Sequence, residues 1–237
     1  MLAAMMFTSA LASASSICGD VNGSGSVTAT DALAVLRSAV GQTIELLCAP
    51  PAGLLKTGQT TSYGAGTDGD LQKGAARSFT DNGDGTVTDN ATGLMWEKKD
   101  ASSGIHHLDN TYTWSTGSGN MDGTIVSVFL AALNSGGGFA GHSDWRVPNI
   151  VELQSLINYD STDAGPPTDS VFKKDCVAGC TLTMCSCTRS FYYWSSSVTR
   201  APGSAWYLDF GGGPTGGTSS HGAEVASIAV RAVRGGA

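Results

Sequence analysis

The chain has 237 residues, enough for one domain of ordinary size plus a small appendage, and its 41% hydrophobic content can build a core. Charged residues make up only 14% while glycines number 32, a balance that favours a loop-rich, β-containing fold over long helices. A net charge of −7 with no basic cluster argues against nucleic acid, whose binding depends on Lys and Arg displacing counterions.

Residues 1–16, MLAAMMFTSALASASS, are apolar and then small, and Ala12-Ser13-Ala14 fits the small-x-small rule for signal-peptidase cleavage. The run is too short to cross a bilayer and no second span follows, so the chain reads as exported and not membrane-spanning. The first basic residue is Arg37, so the positively charged start of a leader is missing, as in a truncated signal peptide. The expected location is secreted or cell-surface, with the periplasm as an alternative.

Residues 17–48 form a small unit bounded by Cys18 and Cys48. From Asp20 to Asp31 it follows the twelve-position logic of an EF-hand loop: oxygen side chains at Asp20, Asn22, Ser24, Thr28 and Asp31, Gly25 at the sharp turn and apolar Val27 at position eight. A hard cation wants six to eight oxygens around one point, and the Ser26 carbonyl adds a backbone donor. An apolar helix, Ala32-Leu33-Ala34-Val35-Leu36, follows. The stretch GDVNGSGSVTATDALAVLRSAVG resembles one repeat of a type I dockerin. That resemblance implies calcium as cofactor, with Asp20, Asn22, Ser24 and Asp31 as side-chain ligands, Thr28 acting through water, and a cohesin-like partner. A dockerin normally carries two repeats. Here there is one, Ser24 stands where an acid is usual, and Cys18 and Cys48 are expected to clamp the unit in place of its missing partner.

Residues 49–62, APPAGLLKTGQTTS, read as a linker, and residues 63–237 hold all five tryptophans. Arg77–Trp96 predicts a hairpin, with Asp81-Asn82-Gly83-Asp84-Gly85 supplying turn residues that tolerate positive φ. Asp81, Asp84 and Asp89 offer no calcium register and read as a solvated turn. Ile125, Val128, Phe129, Ala132 and Leu133 predict the inner face of a helix over 124–134, stopped by Gly136-Gly137-Gly138. A second helix starts at Pro148-Asn149, with Val151, Leu153, Leu156 and Ile157 inward and Glu152 in its first turn. Phe191–Ser196, Ala205–Phe210 and Ile228–Val233 are strand signals. Two helices among short antiparallel strands and long loops predict an α+β fold.

Six cysteines in an exported chain read as disulfides: Cys18 with Cys48, and Cys176, Cys180, Cys185 and Cys187 among themselves. Zinc is the competing reading of the second group, but the spacing C-x3-C-x4-C-x-C does not match paired C-x2-C knuckles. Four cysteines allow three pairings, and the sequence does not choose among them.

In chain order, KTGQTTSYGAGTDGDLQKGAARSFTDNGDGTVTDNATGLMWEKKD, GGFAGHSDWRVPNIVELQSLIN, CSCTRSFYYWSSS, AWYLDFGGG and VRAVRGG together resemble the DUF1566 family, also called the Lcl C-terminal domain after a collagen-like bacterial adhesin. The resemblance implies a C-type-lectin-like fold, of the branch shared with formylglycine-generating enzymes and with variable proteins of diversity-generating retroelements. Its members are associated with adhesion, glycan binding and ligand display.

Within that frame Trp96, Trp145 and Trp194 are expected in the core, with Arg146 paired to a buried carboxylate such as Asp209. Tyr192–Ser197 and Ala205–Asp209 would be adjacent strands whose outward residues, with loops 199–204 and 211–224, form the ligand face. Tyr193, Arg200, Tyr207 and His221 are the candidate ligand-binding residues, since aromatic planes stack on sugar rings or anchor proteins. No EPN or QPD set followed by WND is present, so calcium-dependent sugar coordination in this domain is not expected. No G-x-S-x-G elbow, H-E-x-x-H or phosphate loop occurs, and His106, His107, His142 and His221 read as loop histidines without ligand spacing. A binding protein for an extracellular glycan or protein is expected, and not an enzyme. The alternatives are a scaffold-assembly component using the dockerin-like repeat, or a variable ligand-display protein.

Overall fold

The computed structural model describes residues 54–161, 165–200, 203–211 and 219–235. The expected signal peptide, Cys18 and Cys48, and the calcium-loop residues Asp20, Asn22, Ser24, Ser26, Thr28 and Asp31 lie outside these residues.

Turn chemistry builds the first sheet. Between β1 (Phe79–Asp81) and β2 (Thr86–Asp89), Asp81 accepts the Gly83 N–H and Asp84 accepts the N–H and hydroxyl of Thr86. Asp89 then accepts the N–H groups of Ala91 and Thr92 and starts the turn into β3 (Leu94–Glu97). Asp81 and Asp84 are exposed as expected, but Asp89 is fully buried, its Oδ1 turned to the N–H groups of the turn it organises. The hairpin is thus a three-stranded meander, with Val87 opposite Trp96. The C-terminal strand β9 (Val233–Gly235) pairs beside β3, placing Val233 opposite Trp96 and giving the order β1-β2-β3-β9.

Residues 54–62 are not a linker. Leu55 bridges to Ala75, the Thr57 carbonyl accepts the Tyr159 N–H at 2.9 Å, and the Thr60 hydroxyl donates to Asp160 at 2.6 Å. Lys-Thr-Gly-Gln gives no periodic signal because this segment is held by backbone and hydroxyl bonds, not by an apolar face. Its carboxylate partner beyond Thr57 is Asp68, which opens a one-turn helix, α1 (Asp68–Leu71).

The helix expected over 124–134 is present, but its first six residues, Ile125–Leu130, are wound as a π-helix before α2 (Ala131–Asn134). Bonding from i to i+5 places more residues in each turn, so spacings of four, not three, stay on one side. Ile125, Phe129 and Leu133 are buried accordingly, while Val128 and Ala132 turn outward. At α3 (Ile150–Gln154) Asn149 forms a full capping box with Glu152. Leu153, Leu156 and Ile157 are buried as predicted, and Val151 is exposed at 64%. Arg146 pairs with Glu152, through two bonds of 2.8 and 2.6 Å, and not with Asp209. The cap already holds the Glu152 carboxylate in place, six residues along the chain, so Arg146 is satisfied locally.

Two apolar clusters fill the interior. One joins Trp96, Leu153, Phe172, Tyr193, Leu208 and Phe210, and the other joins Trp114, Phe129, Trp145, Trp194 and Val230. Trp96, Trp145 and Trp194 are in the core as expected. A two-stranded ladder, β4 (Tyr112–Thr113) with β8 (Ser227–Ile228), and a sheet of order β5-β6-β7 complete an α+β architecture. The last sheet holds β5 (Tyr192–Val198), β6 (Ser204–Asp209) and β7 (Ser219–Ala223), so the segment read as loop 211–224 contains a strand. The four clustered cysteines form nested disulfides, Cys176–Cys187 and Cys180–Cys185. Among the described residues no helix is long and apolar enough to cross a membrane.

Candidate functional site

The register of β5-β6-β7 sorts its side chains onto two faces. Tyr193 pairs with Leu208, and Trp206 with His221, so these residues share one face with Phe210. Trp194 pairs with Tyr207, and Tyr192 with Asp209, on the other. The first face packs on α3 and the inner core at Tyr193, which is 1% exposed. Its ring meets Phe210 edge-on at 4.9 Å, and its hydroxyl accepts the Arg189 N–H at 2.9 Å. Tyr193 is therefore a core residue, contrary to expectation.

The second face is buried at Trp194 and Ala205 and opens to solvent at Tyr192. Tyr192 is 39% exposed, and its ring lies 5.3 Å from Phe191 and 4.9 Å from half-buried Tyr207. The Arg189 guanidinium lies over the Phe191 ring at 4.2 Å, extending the row. Gly222, diagonal to Tyr207 on β7, leaves room for that ring, since a Cβ there would stand 3.1 Å from Tyr207 Cε1. Asp209 flanks the row and spends one lone pair on the Gly211 N–H at 2.7 Å, leaving carboxylate capacity for a ligand donor. Among the described residues neither the Tyr192 nor the Tyr207 hydroxyl has a hydrogen-bond partner. The row can stack on a flat apolar surface while its edges give and accept directed hydrogen bonds.

Of the four expected ligand residues, only Tyr207 belongs to this row. Arg200 is exposed but follows β5 beyond the Val198 end of the sheet, opposite the Tyr192–Asp209 end. His221 is exposed on the other face, 5.6 Å from Trp206. Beside Tyr207 the row holds Tyr192, Phe191, Arg189 and Asp209.

The strand that carries Tyr192 is anchored in the core beside the row. The Trp114 indole donates to the Ser195 carbonyl, and the Trp194 indole to the Tyr112 carbonyl, both at 2.9 Å. This reciprocal pair ties β5 to β4 from inside the core. Deeper still, Glu97 is fully buried and accepts from Lys99 Nζ at 2.8 Å and the Ala232 N–H at 2.9 Å, with His106 Nδ1 at 2.7 Å. Burial alone would raise the Glu97 pKa, but the Lys99 charge, His106 and the Ala232 N–H outweigh it and hold the carboxyl below its ordinary range. Buried Arg231 spans the same region, donating to the carbonyls of Glu97 and Cys187 and to the Thr188 hydroxyl. His106, read from sequence as a loop histidine, is a structural partner of Glu97.

Shallow concavities lie elsewhere. One of about 600 Å³ runs past Asp81, Ser170, Lys174 and Asp175, and one of about 210 Å³ past Lys56, Gln59, Gln72 and Asn158. Both are open to solvent, and neither gathers an enclosing apolar wall with convergent polar groups. Among the described residues a lone three-sulfur cluster has metal-ligand geometry, and its sulfurs are engaged in disulfides.

Residues 85–234 match the family of the Lcl C-terminal domain, and the chain belongs to that family. The match begins just before β2 and ends within β9, so it takes in the buried charge cluster, the disulfides and the aromatic row. A comparison with curated proteins finds no match to this chain.

Proposed function

We propose that the protein is an extracellular binding module that recognises a glycan, or a protein surface, through the row Arg189–Phe191–Tyr192–Tyr207–Asp209. The observation that carries this reading is a chain of aromatic contacts, from half-buried Phe191 through exposed Tyr192 to half-buried Tyr207, whose tyrosine hydroxyls have no hydrogen-bond partner among the described residues, on a strand tied to the core by buried indole hydrogen bonds. Rigid aromatic anchors with polar neighbours form effective contact sites because little side-chain freedom is lost on binding. The disulfides suit an oxidising compartment, which supports a secreted or surface location. The pairing of the C-terminal strand with the early meander, the short helices and the long loops agree with a C-type-lectin-like arrangement. Calcium at Asp20, Asn22, Ser24, Ser26, Thr28 and Asp31 belongs to the same proposal and is independent of the row.

The test is a glycan array, with a parallel panel of extracellular matrix proteins, probed with the full chain in calcium and in chelator. Binding that survives chelation supports the row as the site. Binding abolished by chelator moves recognition to the N-terminal loop and favours calcium-dependent scaffold docking instead.

A further inference from the structure

The nested disulfides bring together sulfurs that are not bonded to each other. Cys180 Sγ and Cys187 Sγ, from different disulfides, are 4.0 Å apart, and the sulfurs of Cys176, Cys180 and Cys187 all lie within 4.8 Å of one another. Zinc–thiolate bonds of about 2.3 Å put two sulfurs on one tetrahedral ion about 3.8 Å apart. The contact between the two disulfides therefore already has the spacing of a thiolate edge around a soft cation. Of the other two pairs, Cys176 and Cys180 already lie within 4.8 Å, and Cys176 and Cys187 relax from a covalent bond to that same separation.

The backbone that carries these sulfurs is held independently of them. Ala101 donates to the Cys180 carbonyl at 3.2 Å, Gly179 to the Ala101 carbonyl at 2.9 Å, and Cys187 to the Lys99 carbonyl at 2.7 Å. Arg231 Nη2 grips the Cys187 carbonyl at 2.6 Å from within the buried charge cluster. Cutting the disulfides leaves all four anchors in place, so Cys180 and Cys187 stay together, and Cys176 is tethered to them through the turn in which the Cys180 N–H donates to the Val177 carbonyl at 3.0 Å. Cys176 is exposed while Cys180 and Cys187 are buried, which gives a reductant and then an ion one open side.

We infer that reduction converts the disulfide pair into a binding site for one thiophilic cation of the zinc class, held by Cys176, Cys180 and Cys187 with solvent at the fourth position. Each disulfide takes two electrons and two protons from a dithiol reductant, which is itself oxidised to its disulfide, so two dithiols are consumed. The cation then displaces the protons of the three ligating thiols. Cys185, separated from Cys187 by Ser186 alone, does not belong to the set of mutually close sulfurs and is left as a free thiol in this arrangement.

The probe is Co2+ added anaerobically to the full chain after reduction by a non-chelating phosphine, in a Cys18→Ser/Cys48→Ser background. The expected result is one equivalent bound, with thiolate-to-cobalt charge-transfer absorption that Zn2+ bleaches. The oxidised chain shows none. Cys185→Ser retains the signal, and Cys187→Ser weakens binding at least about tenfold. Because a substituted chain could misfold, alkylation of the unsubstituted reduced chain is mapped by mass spectrometry. Zn2+ is expected to slow modification of Cys176 at least about tenfold in native buffer and not in urea. Absence of charge-transfer absorption in the fully reduced chain, or Cys176 alkylation unchanged by Zn2+, overturns the proposal.

Discussion

Gly222 and Tyr207 are coupled across the β6–β7 ladder: the missing side chain of one is the space that the ring of the other occupies. A methyl group at position 222 would lie 3.1 Å from Tyr207 Cε1, tighter than most such contacts, so the ring has to give way by a few tenths of an ångström. Gly222→Ala is therefore expected to displace the Tyr207 ring within the row while leaving the fold intact. Ligand affinity should fall about tenfold with a change in melting temperature of only a few degrees. Titration of the variant beside thermal melting checks both halves.

The neighbouring tyrosines separate recognition from packing. Tyr192→Ala should weaken ligand binding with little effect on stability. Tyr193→Phe should do the reverse, because it removes the acceptor of the Arg189 N–H from a buried site at a cost of about 1 kcal/mol. Denaturant midpoints and binding isotherms on the two variants give opposite patterns if the faces are assigned correctly.

Glu97 balances buried cations. Glu97→Gln leaves the buried charges of Lys99 and Arg231 without their anion and is expected to cost about 3–5 kcal/mol, read from urea unfolding. The folded carboxyl titrates below its unfolded counterpart, so the unfolded chain binds the proton more tightly. The Glu97 contribution is therefore complete above the unfolded value of about 4.3 and is lost as pH falls through the folded value. Stability of the native chain should decline below that point, and Glu97→Gln should flatten this part of the profile.

The outer disulfide, Cys176–Cys187, closes an eleven-residue separation, and its removal as Cys176→Ala/Cys187→Ala should destabilise the domain by about 2–4 kcal/mol. The capping box gives a smaller, local effect. Asn149→Ala removes the acceptor for the Glu152 N–H and should cost about 1 kcal/mol, with Leu153 and Leu156 keeping α3 docked. Calorimetry ranks the two.

Much of this architecture could be read from the chain because local chemistry and packing agree there. Asp-Asn-Gly-Asp-Gly encodes its turn through side-chain acceptors, and Asn149 with Glu152 encodes a helix start. The candidate site was harder to read. Tyr192-Tyr193-Trp194 contains no polar residue to mark which face is wet, and a slip of one residue exchanges inside for outside. Only pairing with Leu208 and Asp209 settles that Tyr193 is inward and Tyr192 outward. Ser-Ser-His-Gly-Ala lacks the β-branched residues that announce a strand, so β7 is set by its partner β6. Likewise nothing in Glu97-Lys98-Lys99-Asp100 distinguishes it from an exposed charge run. All four are buried because β9 and the cysteine segment close over them from far along the chain.

The most direct test measures affinity for an array-selected ligand with Tyr207→Ala and His221→Ala side by side, in chelator. The account predicts at least about a tenfold loss for Tyr207→Ala and none for His221→Ala, because the register puts the two on opposite faces of one sheet. Unchanged affinity in a folded Tyr207→Ala protein, or a loss confined to His221→Ala, would contradict it.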